Sequence, residues 1–214
     1  MLSPFSPVRK WTTASPLPFE FASLARISIV ALTLQLGELS SGVYATGLKL
    51  IEVACLPIWF LTLAAYPSLC RQFGGASFGR SSMQLVAISG AISAIVATSM
   101  YWIVPRLLVP ILGPSYAGTE PVVALMGTLG LLFGTEIVLG RLLFAKHQQR
   151  IRAVAIASGG VVCLVANVWA IPRFGVTGAV YSTTASYLLV NVIYLFSLRR
   201  PTASEAFSRS AVSS

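Results

Sequence analysis

The chain has 214 residues, of which 56% are hydrophobic and 10% charged, with a net charge of +9 and no aspartate. A soluble domain carries roughly 25% charged residues, so this composition cannot cover a water-facing surface. The Lys and Arg residues recur between long apolar segments instead of clustering, which argues against nucleic acid and for anionic membrane lipid as a partner.

A helix needs about 20 apolar residues to cross the hydrocarbon core. The leader, residues 1–18, holds Pro4, Pro7, Pro16 and Pro18 around Arg9 and Lys10 and has no apolar core of a signal peptide, so it reads as a flexible cytoplasmic segment. An all-α, six-helix transmembrane domain is expected over residues 19–199. The first helix, 19–36, is interrupted by Arg26 and Gln35, and Gly37 to Gly42 reads as a turn. The second, 43–69, contains Pro57 and ends near Pro67, so a kink is expected at Pro57. The polar stretch Arg71 to Arg80 contains Gly74, Gly75 and Gly79 but does not match the GxxxxGK[ST] phosphate loop, and reads as a linker. A charge-free third helix spans 83–104, followed by a broken end and short loop at Pro110, Gly113 and Pro114. The fourth helix, 121–145, opens with Glu120 and Pro121, which suit a first turn, and exits through the polar stretch Lys146 to Arg152. The fifth spans 154–171, Pro172 to Gly175 forms a tight turn, and the sixth spans 176–198. The tail, 200–214, is rich in Ser and Ala and reads as disordered.

Basic residues are retained on the cytoplasmic side of short loops. With the N-terminus inside, only Lys49, Arg106 and Arg173 of the fifteen Lys and Arg fall outside. Both termini are therefore expected in the cytoplasm, with the chain a multi-pass protein of the cell's inner or plasma membrane. Trp102, Trp169 and Tyr101, near the outer ends, suit an aromatic interface belt.

An ionisable side chain inside a spanning segment costs at least a few kcal/mol and faces a partner or a hydrated cavity. Five residues qualify as cavity candidates: Arg26, Lys49, Glu52, Glu136 and Arg141. Lys49 and Glu52 are three apart and share a helix face, so they either neutralise each other or line a cavity together. Glu136 and Arg141 are five apart, too far round the helix for an ideal pair, and Arg141 can reach the inner surface along its stem. Arg26 either does the same or faces the cavity. Asn167 and Asn191 lie within helices and should hydrogen-bond across them. Gly159, Gly160, Gly175, Gly178, Ala179, Ser182, Thr183 and Ser186 form small-residue packing faces. Cys55, Cys70 and Cys163 lack ligand spacing and read as small core residues. His147 is the only histidine and reads as a solvated loop residue. No catalytic triad or carboxylate pair can be assembled, so no enzyme is expected, and no cofactor or metal is implied.

Three stretches carry a family likeness. Ser40 to Phe73 presents Gly42, Tyr44, Leu50 and Glu52, then Pro57, Pro67 and Arg71. Leu107 to Met126 presents Leu112, Gly113, Pro114 and Tyr116, and Arg173 to Phe196 presents Phe174, Gly175, Gly178 and Ala179. In this order and spacing the chain resembles the polysaccharide-biosynthesis, Wzx-type flippases of the MATE-like exporter superfamily. The resemblance covers only the second six-helix lobe of a two-lobe family, so the chain is expected either to be a fragment or to pair with another lobe, as a homodimer or with a separate chain. A position near the lobe's start that often carries Asp in the family reads Leu36, Gly37, Glu38 here.

The resemblance implies a transporter lobe that flips polyprenyl-pyrophosphate-linked oligosaccharide across the membrane for surface polysaccharide synthesis. Its partners would be that lipid-linked oligosaccharide, membrane lipids and the second lobe. Arg26, Lys49 and Arg141 would then meet pyrophosphate or acidic sugar, with Glu52 and Glu136 positioning them. The alternatives are an ion-coupled drug or metabolite exporter of the same superfamily, for which few acidic residues are available, and a non-transporting interaction subunit.

Overall fold

A computed structural model describes residues 23–72, 76–113, 116, 118–146 and 148–199. The leader, the tail and His147 lie outside the described residues. Eight helices follow one another: α1 (Ser23–Leu36), α2 (Glu38–Ala54), α3 (Leu56–Gln72), α4 (Ala76–Trp102), α5 (Val104–Leu112), α6 (Glu120–Ala145), α7 (Gln149–Phe174) and α8 (Val176–Arg199). Among the described residues no strand is present, so the all-α expectation holds.

Four of these helices, α4, α6, α7 and α8, have the length and apolar composition of membrane spans. Helices α2 and α3 qualify together, bent by 42°. The chain is therefore a membrane-embedded helical bundle, with four candidate spans among the described residues, or five with the bent pair. Of the expected first span, the structure describes α1, 14 residues that reach about 21 Å; residues 19–22 lie outside the described set. Large apolar side chains line the outside, among them Leu34, Met83, Ile95, Val154 and Val165, as hydrocarbon contact allows and water does not.

Several boundaries differ from expectation. The turn expected over Gly37 to Gly42 is Gly37 alone, at φ 86; a left-handed backbone suits glycine and reverses the chain there, while Ser40 to Gly42 are helical. The kink expected at Pro57 is a break at Cys55, two residues earlier, because proline has no N–H to give the carbonyl of Val53. Pro67, expected near a helix end, lies inside α3. The expected linker Arg71 to Arg80 and the expected exit stretch Lys146 to Arg152 are largely helical, since α4 starts at Ala76 and α7 at Gln149. Arg and Gln favour helix as much as Leu does, and a helix can outrun the hydrocarbon at no cost. The broken end after α4 is a separate nine-residue helix, α5. At the other turn, α7 runs through Pro172 to Phe174 and only Gly175, at φ 61, reverses the chain.

Helix α6 is the central column, packing against α2, α3, α4, α5 and α8, while α7 packs on α8 and α1. Small residues make this density possible. A Cβ at Gly127 would stand 2.7 Å from the Ala97 carbonyl oxygen, and one at Gly178 would land on the Ala170 carbonyl. At one end of the bundle Lys146 Nζ donates to the Leu198 carbonyl at 3.1 Å, tying α6 to α8.

Candidate functional site

The five candidates fall in three places. Arg26 lies two residues before the fully buried Ser28 on α1, hence roughly 160° round the helix from it, and is exposed. Its depth follows from its neighbours. Leu24 and Ile27 reach the position a Cβ would take on Gly160, and Ser28 touches Cys163 at 3.4 Å. Arg26 is therefore level with the middle of the 26-residue α7, about 17 Å from its start. It stands at one end of an open groove of about 450 Å³ lined by Ile27, Val30, Leu34, Leu164 and Val168, with Gln35 also lining it.

Lys49 and Glu52 form the ion pair that their spacing allows, at 2.5 Å, with the lysine side chain 71% and the carboxylate 28% exposed. Lys49 lies roughly 160° round α2 from the buried Ile51, and Gly47 and Ile51 pack on Met126 and Gly130 of α6. The pair is thus about 12 Å below the Glu120 end of α6. Arg26 and Lys49 both occur on the outward faces of the antiparallel α1–α2 hairpin, Arg26 level with the middle of α7 and Lys49 nearer the Glu120 end of α6.

Glu136 and Arg141 are elsewhere, buried in the half of α6 nearer Ala145, at 5% and 8% exposure. The Arg141 guanidinium is 6.0 Å from the Trp59 ring, a distance at which the ring quadrupole still attracts it. Glu136 Oε1 accepts from the Tyr194 hydroxyl at 3.5 Å. It also lies 3.5 Å from the position a Cβ would take on Gly140, and Arg152 Nε lies 3.2 Å from the same point. Arg152 was read as part of a polar exit, yet it is 7% exposed and sits 4.5 Å from the Phe144 ring. The signal for it was Gly140: a glycine one turn after Glu136 leaves room for a long side chain from the next helix.

A buried polar layer joins α1, α2, α7 and α8. Asn167 Nδ2 donates to Ser28 Oγ at 2.8 Å and to Cys163 Sγ at 3.3 Å, and the Cys163 thiol donates to the Leu24 carbonyl at 3.4 Å. Thr183 donates to the Ala179 carbonyl at 2.9 Å, so the hydroxyls of Ser28, at 2.7 Å, and Tyr44, at 2.8 Å, must both donate to Thr183. Every donor is consumed and Asn167 Oδ1 alone has no partner. Asn191 likewise crosses helices, donating to the Leu132 carbonyl at 3.0 Å, so both asparagines behave as their burial in apolar segments required. Cys55 and Cys163 are buried, while Cys70 is exposed, against expectation. Because Thr183 receives two hydroxyls, Thr183→Val removes the acceptor that both use. A loss of about 1–3 kcal/mol is expected in reversible unfolding from detergent; Tyr44→Phe, which removes one donor, should lose less.

Among the described residues no three His, Cys, Asp or Glu side chains converge on a metal position. Compared with known protein families, with curated proteins and with solved structures, the chain gives no match.

Proposed function

We propose that this chain is one lobe of a membrane transporter that flips a polyprenyl-pyrophosphate-linked oligosaccharide, with the α1–α2 face turned to a hydrated path. The observation that carries this reading is the exposure of Arg26 and Lys49 within the depth of the long helices, each opposite its helix's buried face. A cation facing hydrocarbon there costs about 2.5–3.5 kcal/mol or more. The cost vanishes if the face borders water and a second lobe. Such a path suits this cargo: sugars need water, a pyrophosphate needs cations, and the polyprenyl tail can stay in lipid. The Glu52 carboxylate holds the Lys49 ammonium without burying it, which leaves that ammonium able to exchange partners with a passing anion. The resemblance of Ser40 to Phe73 and Arg173 to Phe196 to the Wzx-type, MATE-like flippases points the same way.

The test is expression in cells lacking their own oligosaccharide flippase, with surface polysaccharide as the readout. The chain, alone or with its second lobe, should restore export. Arg26→Ala and Lys49→Ala should each cut it by about tenfold, the scale of a lost charge-assisted contact. Unchanged export in both variants would remove the cationic path. Stable membrane insertion with no export in any pairing would favour the interaction-subunit reading.

A further inference from the structure

Helices α4 and α7 end alike. Trp102-Ile103-Val104-Pro105-Arg106 closes α4 and opens α5, and Trp169-Ala170-Ile171-Pro172-Arg173 closes α7. Both read Trp-x-(Val/Ile)-Pro-Arg, and the four-residue spacing brings arginine back over tryptophan. The Arg173 guanidinium lies 3.9 Å from the Trp169 ring centroid, and that of Arg106 lies 6.0 Å from the Trp102 ring. All four side chains are exposed. Directly along each helix are exposed apolar side chains, Ile95 on α4 and Val165 and Val168 on α7, so each pair stands where an apolar band meets the end of its helix. Helix α5, with nine residues, is too short to cross a bilayer and presents Ile103, Leu107 and Ile111 outward beside Arg106, as an interfacial amphipathic helix does. Neither arginine is paired with a carboxylate among the described residues.

We infer that the two Trp-Arg elements are binding sites for phospholipid headgroups in the leaflet at this end of the bundle. Stacking on indole uses the face of a guanidinium, and its in-plane N–H donors fit a phosphate bidentately. The indole and the apolar side chains below it cover the glycerol esters and upper acyl chain. Phosphatidylglycerol is the preferred class, because its phosphate carries a net charge with no ammonium to compete for it. This rests on the bundle lying in a membrane and is independent of what the bundle transports.

The experiment is native mass spectrometry of the full chain in detergent, titrated with phosphatidylglycerol. The unmutated chain should hold two more tightly bound lipids than Arg106→Gln/Arg173→Gln, with each single variant losing one and binding it about tenfold more weakly. Millimolar inorganic phosphate should not displace them; displacement would mean a free-anion site and overturn the lipid assignment. Equal lipid retention by the double variant would overturn it too. Because all the altered residues are exposed, folding is checked by unchanged helicity. A second readout needs no arginine variant. Lipid brominated near the headgroup should quench the fluorescence lost in Trp102→Phe/Trp169→Phe more than lipid brominated at the chain end, and the reverse order would place these rings away from the headgroups.

Discussion

Glu136→Gln is expected to destabilise the bundle by about 3–5 kcal/mol, the range for removing one partner from a buried charge cluster. Glu136 is the carboxylate of a buried layer that also contains the guanidinium groups of Arg141 and Arg152. The amide keeps the shape, and can still meet the Tyr194 hydroxyl, but it removes the negative charge near Arg152 at Gly140. Two cations then remain in a region of low dielectric. The measurement is reversible unfolding in mixed detergent. A double-mutant cycle with Arg152→Gln isolates the charge term, since the double variant removes one charge of each sign and should recover more than about 1 kcal/mol of the loss. Glu52→Gln is the contrast. Its pair with Lys49 is exposed on the lysine side, so its removal should cost under about 1 kcal/mol. A Glu136→Gln protein as stable as the unmutated one would show that the carboxylate does not neutralise the layer.

The contrast between these two acids also shows what was legible in advance. Spacing alone paired Lys49 with Glu52, because an i,i+3 relation fixes both side chains on one face of a helix whatever surrounds it. Glu136 gave no such clue: its partners, Tyr194 and Arg152, come from α8 and α7, and only tertiary packing brings them together. Arg152 was hidden for a second reason. Hydropathy locates the apolar stretch and not the helix end, so a helix that begins at Gln149 was read as starting at Val154 with a loop before it. The same limit shortened α4 by seven residues at its start and put a turn where Ser40 to Gly42 are helical. Asn167 and Asn191 were readable, because an amide in an apolar segment must find a partner on another helix. The identity of those partners was not, since Ser28 and the Leu132 carbonyl are unremarkable in sequence and meet the two amides only through the packing of α1 on α7 and of α6 on α8.

Close approach is where the second large effect is expected. Gly178→Ala should destabilise the bundle by about 1–3 kcal/mol or more, the range for overpacking, although alanine is the better helix former by about 1 kcal/mol. The added methyl has nowhere to go. It would land on the carbonyl of Ala170 and stand 3.1 Å from the nitrogen of Ile171. These are backbone atoms of α7, which cannot rotate aside as a side chain can, so α7 and α8 must separate. Separation there loosens the helices that carry Asn167 and Thr183, so Gly178→Ala should also weaken the four-helix polar layer and expose Cys163 to thiol reagents. Gly160, on α7, supplies the opposite case. A methyl there would meet Ile27 and Leu24 side chains at 3.7 and 3.8 Å, ordinary van der Waals distances, so Gly160→Ala should be neutral or stabilising by up to about 1 kcal/mol. Both substitutions are Gly to Ala inside packed helices, and composition does not tell them apart. If thermal unfolding in detergent ranks them equally, the α7–α8 contact is looser than the Ala170–Gly178 geometry requires; if Gly178→Ala alone collapses stability and uncovers Cys163, backbone contact between α7 and α8 is what holds the polar layer shut.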